Sequence, residues 1–461
     1  MNGLDIENRK SQIENAKAGR TSGDARHSKK LRDPVHKDIY LSEAELRVLD
    51  TPEMQRLRGI RQLGAAFYVY PGAHHTRFEH CLGTFWMARR IIGSIEAFTG
   101  HGFDDVEKQA VLLAALAHDV THVPFGHTFE DERKLLDRHD VSAGRFARFL
   151  EEGALGKLLD SSEAGRLARD ILRPDHALPP ALRCLREIVS GTVCADLLDY
   201  LGRDNYYCGL SQNFDERVFQ YFAVRDGELM LNLQHHGLLR RDALSEITNL
   251  LRIRYVLSER VYYHHAKIAC GVMISQAVER AMAHGLAEGD LCELTDDALL
   301  YRLEHDYGTD PSVGELARAF RERRLYKRCY MLSRSVDEEK VRDLVRAYHF
   351  NQEGARNEAE ERIARALGAE PHEVGIYCAP QEMGLKEADV RVILAGGKTP
   401  RLSELNSAEI QVMKDQHRAL WGFYVFVSHR LAESLERAGD ACREVIGLPN
   451  ELPREARGHS L

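Results

Sequence analysis

The chain has 461 residues, of which 44% are hydrophobic and 29% are charged, and its formal net charge at pH 7 is -8. This composition excludes wholesale disorder, and the mildly acidic charge gives no indication of nucleic acid as the main partner, although an average can hide a local basic patch. The length predicts two or three structural units, one of them large enough to enclose a site.

The cysteines and the apolar runs bear on the compartment. Nine cysteines are scattered without a C-x-x-C pair, which is typical of reduced thiols and disfavours a disulfide framework or a cysteine-type zinc site. Residues 1–30 lack an apolar signal segment, and the apolar runs are far shorter than the roughly 20 residues of a membrane span. We therefore expect a cytoplasmic protein that makes no membrane contact.

The predicted elements change in character along the chain. Residues 1–30 are polar and basic and predict a mobile arm, whereas helical spacing of apolar residues continues from there to about residue 350. The segments "YPGAHH", "HVPFGH" and "RPDHALPPAL" are predicted loops between helices. The runs "EVGIYCAP", "ADVRVILAGGKTPRL" and "LWGFYVFV" predict a small C-terminal sheet, followed by a disordered tail at 451–461.

The segment "LAHDVTHVPFGH" follows the apolar run "VLLAALA". The run has the composition of a buried helix, and Pro124 predicts that the helix ends before it, which leaves His118 and Asp119 near the helix end. A single buried histidine is more often a hydrogen-bonded core residue than a ligand. A His-Asp pair with further histidines nearby instead indicates a divalent cation, because buried charge needs compensation. This mixed ligand set suits Zn, Mn, Fe, Ni or Co and excludes a calcium-type oxygen cage.

Two residues do not complete a coordination sphere, so further ligands must come from other segments. Upstream lie His74, His75 and His80, and downstream lie Asp196, Asp199 and Asp204. We expect the first two histidines to be loop residues. A histidine, a His-Asp pair and an aspartate, in this order on different helical segments, resemble the HD-domain phosphohydrolases. The resemblance implies a divalent metal (Mn, Fe, Ni, Co, Zn or Mg) and the following ligands: His80, His118, Asp119 and Asp196.

Several longer segments extend the resemblance. They are "DPVHKDIYLSEAELRVLDTPEMQRLRGIRQLGAAFYVYPGAHHTRFEHCLG", "HDVTHVPFGHTFE", "DLLDYLGRDNYYCGLSQNFD", "LTDDALLYRLE" and "RERRLYKR". Together they resemble the catalytic part of the SAM- and HD-domain deoxynucleoside triphosphate triphosphohydrolases and their bacterial relatives, without the SAM domain. The resemblance implies a mainly α fold, with an HD-domain helical core at 31–280 and a smaller C-terminal α+β lobe with a small β-sheet at 281–450.

The family's reaction assigns expected roles around the phosphates. In that family, water activated by the metal attacks the α-phosphorus of a dNTP and releases deoxynucleoside and inorganic triphosphate. His127 matches the histidine that protonates the 5′-oxygen leaving group, and Glu130 is its expected carboxylate partner. His122 and His139 match histidines around the α-phosphate. Arg77 would grip phosphate oxygens, for which a planar guanidinium is suited.

The resemblance also implies how the deoxynucleotide is selected. Asp204 and Gln62 would bond a 3′-hydroxyl, whereas Leu63 against a tyrosine, Tyr200 or Tyr262, would leave no room for a 2′-hydroxyl. Deoxyribose is therefore the expected sugar.

One position departs from the family. Leu197 stands where vertebrate relatives have a lysine that contacts the triphosphate, and Arg254 is the candidate replacement.

A second set of residues matches positions that bind activating nucleotides between subunits in regulated family members. This match predicts an activating nucleotide and a homo-oligomer, either a dimer or a tetramer. Basic runs such as "RAFRERRLYKR" are also typical of a solvated helix face, so that interpretation stays open. The expected allosteric residues are Asp50, Gln55, Arg58, Arg323 and Lys327.

Some candidates have an alternative structural interpretation. Arg77 could form a surface salt bridge, and Tyr200 and Tyr262 could be core aromatics. For Asp199 and Arg203 we favour an i,i+4 helix pair without a catalytic part.

Three hypotheses for function follow. The leading one is a dNTP triphosphohydrolase. The second is another HD phosphohydrolase that acts on nucleoside monophosphates, signalling nucleotides or nucleic-acid ends, for which the loss of the lysine at Leu197 leaves room. The third is a nucleotide sensor without turnover, which His127 argues against because a sensor needs no proton donor. For the first hypothesis, the sequence leaves open the base, the metal and the role, which is either nucleotide-pool control or antiviral defence by dNTP depletion.

Overall fold

A computed structural model describes residues 29–174, 176–405 and 407–453 of the chain. The described residues are mainly α-helical, which confirms the predicted fold class. The helices are α1 (Glu43–Leu49), α2 (Pro52–Arg56), α3 (Arg77–Thr99), α4 (Asp105–Ala117), α5 (Thr128–Asp131), α6 (Ala143–Ala147), α7 (Ala154–Asp160), α8 (Glu163–Leu172), α9 (Arg183–Ser190), α10 (Ala195–Cys208), α11 (Arg241–Leu257), α12 (His265–Ala283), α13 (Glu288–Leu291), α14 (Asp296–His305), α15 (Pro311–Arg321), α16 (Glu338–Leu344), α17 (Ala355–Leu367), α18 (Ala408–Arg418) and α19 (Leu435–Ile446).

Short strands form four small sheets among the described residues. The strands are β1 (Lys29–Asp33), β2 (Lys37–Leu41), β3 (Phe222–Arg225), β4 (Glu228–Asn232), β5 (Gln234–His235), β6 (Leu238–Leu239), β7 (Lys327–Ser333), β8 (Val374–Cys378), β9 (Val392–Ile393) and β10 (Gly422–Val427). β1 pairs with β2, β5 pairs with β6, and β10 lies between β7 and β8, all antiparallel. In the remaining sheet, β4 pairs antiparallel with β3 and parallel with β9.

The three strands predicted near the C-terminus are confirmed as β8, β9 and β10, although β9 belongs to a different sheet from the other two. The helical spacing expected up to about residue 350 agrees with the predominance of helices there, and the short strands β1 to β7 are elements that this spacing did not predict. The predicted arm reaches Lys30, but Lys29 and Lys30 begin β1, and residues 1–28 lie outside the described residues. The predicted tail begins at Glu451, whose backbone N–H donates to the carbonyl of Met331. Residues 454–461 of that tail lie outside the described residues.

Three helices position the site. Helix α3 begins with a capping box, in which Thr76 and Glu79 bond each other's backbone N–H, and Asp104 and Glu107 form the same motif at the start of α4. Such caps stabilise a helix start by about 1 kcal/mol each. Helix α3 packs against both α4 and α10. The first turn of α3, the end of α4 and the first turn of α10 therefore meet.

Helix α4 has the buried character that its sequence predicts. Every residue from Ala110 to Ala117 is buried, and the helix ends at Ala117 with His118 as its C-cap residue, well before Pro124. Burial of this apolar run fixes the helix axis, so the residues that follow are held at a rigid end.

A tight bend follows at residues 124–126. Phe125 and Gly126 have positive φ angles of 61° and 59°, which is costly for a non-glycine residue. The buried carboxylate of Asp296 holds the bend, because it accepts the backbone N–H groups of Phe125 at 2.7 Å and Arg61 at 3.0 Å. Burial raises the pKa of Asp296 to about 6.

The buried apolar residues form one connected cluster that reaches from Ile39 to Cys442. The predicted domain boundary at residue 280 falls near the end of α12 and stays a prediction. Among the described residues, no helix combines the length and the apolar character needed to cross a membrane.

Candidate active site

A cavity of about 750 Å³ opens where α3, α4 and α10 meet. Its wall also includes residues of α11 and of the loop between β8 and β9. Thirteen of the predicted site residues line it, which are Gln62, Leu63, Arg77, His80, His118, Asp119, His127, His139, Asp196, Tyr200, Asp204, Arg254 and Tyr262. The structure therefore brings residues that are far apart in sequence around one space.

The four predicted metal ligands converge on one point of the cavity wall. The Nε2 atoms of His80 and His118 lie 3.3 Å apart. His80 Nε2 is 3.0 Å from Asp196 Oδ1 and 3.8 Å from Asp119 Oδ2. His118 Nε2 is 3.7 Å from Asp119 Oδ1 and 3.8 Å from Asp196 Oδ1.

The Nδ1 atoms of both imidazoles, which point away from the cluster, already have hydrogen-bond partners. His80 Nδ1 lies 2.8 Å from Asp199 Oδ2, and His118 Nδ1 lies 2.9 Å from the carbonyl of Ala115. Each Nδ1 faces an acceptor, which favours a proton on Nδ1 and leaves each Nε2 directed into the cluster. Two Nε2 atoms and two carboxylates that converge in this way can hold a cation, and second partners of this kind are typical of metal-ligating histidines. The donor set thus fits a divalent metal.

The electrostatics of the cluster agree with this interpretation. Burial opposes protonation of His80, but hydrogen bonds to Asp196 and Asp199 raise its pKa to about 10. Burial lowers the pKa of His118. Burial also opposes ionisation of Asp119, yet the nearby charge of Arg77 holds its pKa well below the usual range. The cluster therefore attracts positive charge at neutral pH.

A second group lies beside the first, around Glu130. His127 Nδ1 is 2.9 Å and His139 Nδ1 is 3.5 Å from Glu130 Oε2, while Arg145 Nη1 donates to Glu130 Oε1 at 3.0 Å. Burial disfavours the charged form of Glu130, but the hydrogen bonds from both histidines lower its pKa. The ring of His127 is partly exposed to the cavity. An ionised, buried carboxylate thus orients an accessible imidazole.

His122 lies behind this wall. It is fully buried, its ring stacks on that of His139 with centroids 3.6 Å apart, and its Nε2 is 3.2 Å from Asp119 Oδ1. Burial lowers its pKa well below the usual value. The expected contact of His122 with the α-phosphate stays a prediction.

Arg77 is buried, not a surface residue, and its guanidinium bonds Asp119 and lines the cavity. Gly126 allows this position: a Cβ atom there would lie 2.5 Å from Arg77 Nη2, and its φ of 59° already favours glycine. The bend at residues 124–126 is therefore shaped to pass over the guanidinium.

On the other side of the cavity, Asp204 is held from two directions. Its Oδ1 lies 2.8 Å from His75 Nε2, and its Oδ2 accepts the Tyr262 hydroxyl at 2.6 Å. Gln62 lines the same cavity, and its buried Oε1 has no hydrogen-bond partner among the described residues. An unpaired amide oxygen in a cavity wall is a candidate acceptor for a ligand hydroxyl.

The two positions that bear on polyphosphate binding, Leu197 and Arg254, differ in where they lie. Leu197 is buried in the core and is not among the described residues that line the cavity. Arg254 does line the cavity, with its guanidinium carbon 5.3 Å from the ring centre of Tyr200 and 4.9 Å from that of Tyr262.

The five expected allosteric residues lie in two other segments. Asp50 follows α1, and Gln55 bonds both the carbonyl of Leu49 and the Arg58 side chain, which stacks on the ring of Phe78. Arg323 follows α15 with a φ of 57°, and Lys327 begins β7. None of the five is among the described residues that line the cavity, and their nucleotide site stays a prediction.

The sequence interpretation missed the part played by Asp199. The expected pair with Arg203 exists, at 2.9 Å, but both side chains are fully buried and Asp199 also bonds His80. Asp33 holds the other side of Arg203 at 2.9 Å. The i,i+3 spacing of Asp196 and Asp199 on one helix face was the available signal.

Two family models match the chain. The model of the HD domain matches residues 77–202, and the model of the HD associated region matches residues 227–456. The first match contains all four predicted metal ligands.

Similar proteins include an uncharacterized protein of Methanocaldococcus jannaschii, 32% identical over 284 residues, which cover 60% of this chain and 56% of that protein. Deoxynucleoside triphosphate triphosphohydrolase SAMHD1 of Xenopus laevis is 27% identical over 351 residues, which cover 65% of this chain and 55% of that protein. The chain spans just over half the length of both relatives. The crystal structure of a phosphohydrolase from Bacteroides thetaiotaomicron has a similar fold, with a TM-score of 0.66 at 22% identity over 87% of this chain and 99% of that one. Because an HD domain and the region associated with it are both present, the chain belongs to the HD-domain family.

Proposed function

We propose that this HD-domain protein is a metal-dependent phosphohydrolase that cleaves a dNTP at the α-phosphate into deoxynucleoside and inorganic triphosphate. The observation that carries the proposal is the meeting, in one cavity, of the histidine–aspartate cluster with the His127–Glu130 pair. One group fits a metal, and the other fits a proton donor to a leaving group.

A divalent metal held by His80, His118, Asp119 and Asp196 would supply a Lewis acid and activate water at neutral pH. Arg77 binds a non-bridging oxygen of the α-phosphate, and its buried guanidinium stabilises negative charge that builds up there.

His127 donates the proton to the 5′-oxygen as the bond to the α-phosphorus breaks. Glu130 keeps the His127 ring aimed by accepting from its Nδ1, so that Nε2 is the donor atom. His139 shares the same carboxylate oxygen and limits the movement of the pair.

The sugar side supports a deoxynucleoside. Asp204 is fixed by His75 and Tyr262, and Gln62 has an acceptor without a partner, so both offer polar contacts to a 3′-hydroxyl. Leu63 adds an apolar surface to the same wall, where a 2′-hydroxyl would lose its hydration. The name of the Xenopus laevis relative, deoxynucleoside triphosphate triphosphohydrolase, describes the same reaction.

The proposal extends to a homo-oligomer with an activating nucleotide at Asp50, Gln55, Arg58, Arg323 and Lys327. Its support is the resemblance of these positions to the regulated family members. Nucleotide-pool control and antiviral defence are both compatible with dNTP removal.

A product assay tests the activity. Protein loaded with Mn²⁺ is incubated with each dNTP and each ribonucleotide, singly and mixed, and the products are separated. We expect deoxynucleoside and triphosphate from dNTPs and a much slower reaction with ribonucleotides. His118→Ala should abolish turnover, and a faster reaction in mixtures than with single dNTPs would support the activating site. Full turnover by the His118 variant would contradict the metal cluster.

A second candidate is a phosphohydrolase of nucleoside monophosphates. Burial of Leu197 at the position of the family's triphosphate-binding lysine favours it. Release of orthophosphate from dNMPs in the same assay, without triphosphate from dNTPs, would identify this activity.

A further inference from the structure

Arg254 is one of several basic side chains that line the cavity, and the one that the family resemblance offers as a partner of the outer phosphates. Its guanidinium stands against the rings of Tyr200 and Tyr262 in the cavity wall. Stacking of this kind holds the planar fork in place and leaves its edges available to a ligand. Leu197, which has no charge and is buried in the core, supplies no alternative to Arg254.

Arg254 already has an anionic partner, which comes from the HD-associated region. Oε1 of Glu387 lies 3.2 Å from Nε of Arg254. Both side chains are largely buried, with 12% of Glu387 and 27% of Arg254 exposed, and both line the cavity. Glu387 lies in a short turn, Lys386–Asp389, in the loop between β8 and β9.

The position of this carboxylate conflicts with a bound polyphosphate. A phosphate that bonds the guanidinium would lie close to Glu387, and two anions in a partly buried site repel each other with little screening. A glutamate side chain has three torsion angles about which its carboxylate can turn away from a guanidinium. The guanidinium would then exchange one anion for another.

We propose that Glu387 is a resident anion of the outer-phosphate subsite, which β- and γ-phosphates must displace from Arg254 when a polyphosphate binds. The inference rests on the proposed function and names the specificity of the same site. Glu387 thereby weakens the binding of polyphosphates and leaves the α-phosphate contact at Arg77 unaffected. It sets how strongly the protein discriminates by phosphate-chain length.

Direct binding of inorganic tripolyphosphate tests the proposal without turnover. Mn²⁺-loaded wild type, Glu387→Gln, Arg254→Met and the double variant are titrated calorimetrically, with orthophosphate as the second probe. Glu382→Gln is the matched control, because Glu382 is a carboxylate of the same loop that also lines the cavity and is exposed. Thermal melts establish that each variant is folded.

We expect Glu387→Gln to bind tripolyphosphate about five- to tenfold more tightly, because a partly buried like charge is removed. The affinity of Glu387→Gln for orthophosphate should stay within about twofold of that of wild type. The affinity of Glu382→Gln for tripolyphosphate should also stay within about twofold, since surface charges contribute little. In the Arg254→Met background, Glu387→Gln should give at most about a twofold gain.

Weaker or unchanged tripolyphosphate binding by Glu387→Gln would overturn the proposal. Weaker binding is the result expected if Glu387 only orients Arg254 for its ligand. An equal gain in the Arg254→Met background would also overturn it. If the protein does not hydrolyse dNTPs, the proposed function fails while the tripolyphosphate titration still decides this inference.

Discussion

Asp199 provides the sharpest test of how the metal cluster is built. Its carboxylate bonds Nδ1 of His80 at 2.8 Å, contacts His36 and accepts from Arg203 at 2.9 and 3.0 Å. Asp199→Asn keeps the shape of the side chain and removes its charge. The amide can still accept one hydrogen bond, but it no longer fixes or polarises the His80 ring. We therefore expect weaker metal binding although no proposed ligand is changed.

The expected magnitude follows from the two roles of this carboxylate. Loss of a hydrogen-bond partner behind a ligating histidine typically lowers metal affinity by about 10- to 100-fold, or about 1.4–2.7 kcal/mol. The same substitution leaves Arg203 with Asp33 as its remaining carboxylate partner, and breaking a buried ion pair costs about 3–5 kcal/mol of folding stability. The two effects need separate measurements.

Asp33→Asn is the matched control, because it removes the other carboxylate from Arg203 and leaves the bond between Asp199 and His80. Mn²⁺ titration calorimetry is performed on all three proteins at a temperature where each is folded. Asp199→Asn should lose about 10- to 100-fold in affinity and Asp33→Asn less than about threefold. Equal losses in the two variants would refute the reasoning, because metal affinity would then follow general stability.

The remaining predictions concern the proton donor and the bend. Glu130→Gln should lower kcat by about 100-fold with little change in KM, which steady-state kinetics measures, and an unchanged kcat would contradict the assignment. Burial opposes ionisation of Glu130, but hydrogen bonds from His127 and His139 lower its pKa below the ordinary value of 4.5. The ionised carboxylate therefore contributes fully to the free energy of unfolding above pH 4.5, and this contribution is lost progressively as the pH falls below that value. Urea unfolding at several pH values should show that the difference in free energy of unfolding between wild type and Glu130→Gln becomes smaller below pH 4.5. A difference that stays constant with pH would contradict the lowered pKa of Glu130. Gly126→Ala should displace Arg77 and lower activity more than tenfold, whereas Gly100→Ala, with a φ of 73° and open space around it, should cost only about 1 kcal/mol of stability. Similar activity in both variants would contradict the close approach to Arg77.

The sequence places the candidate ligands at or near helix ends, and the resemblance selects them; their role as ligands stays a prediction. The buried run before His118 predicts where α4 stops, and His80 and Asp196 lie in the first turns of α3 and α10. What brings them together is the packing of three helices, which the sequence implies only through resemblance. The family match agrees with that resemblance.

Side-chain direction could not be read from the sequence. Leu197 follows Asp196 directly, but adjacent residues on a helix point about 100° apart, so one faces the cavity and the other the core. The contact between His80 and Asp199 depends on how α3 and α10 pack, and no local pattern encodes it. The Glu387–Arg254 pair likewise joins two segments that only tertiary structure brings together.

Hydrolysis in ¹⁸O-labelled water tests the central claim most directly. Attack on the α-phosphorus breaks the bond to the 5′-oxygen, so the proposal predicts one labelled oxygen in the inorganic triphosphate and none in the deoxynucleoside, as read by mass spectrometry. Label in the deoxynucleoside, or in orthophosphate released from the γ-position, would contradict it.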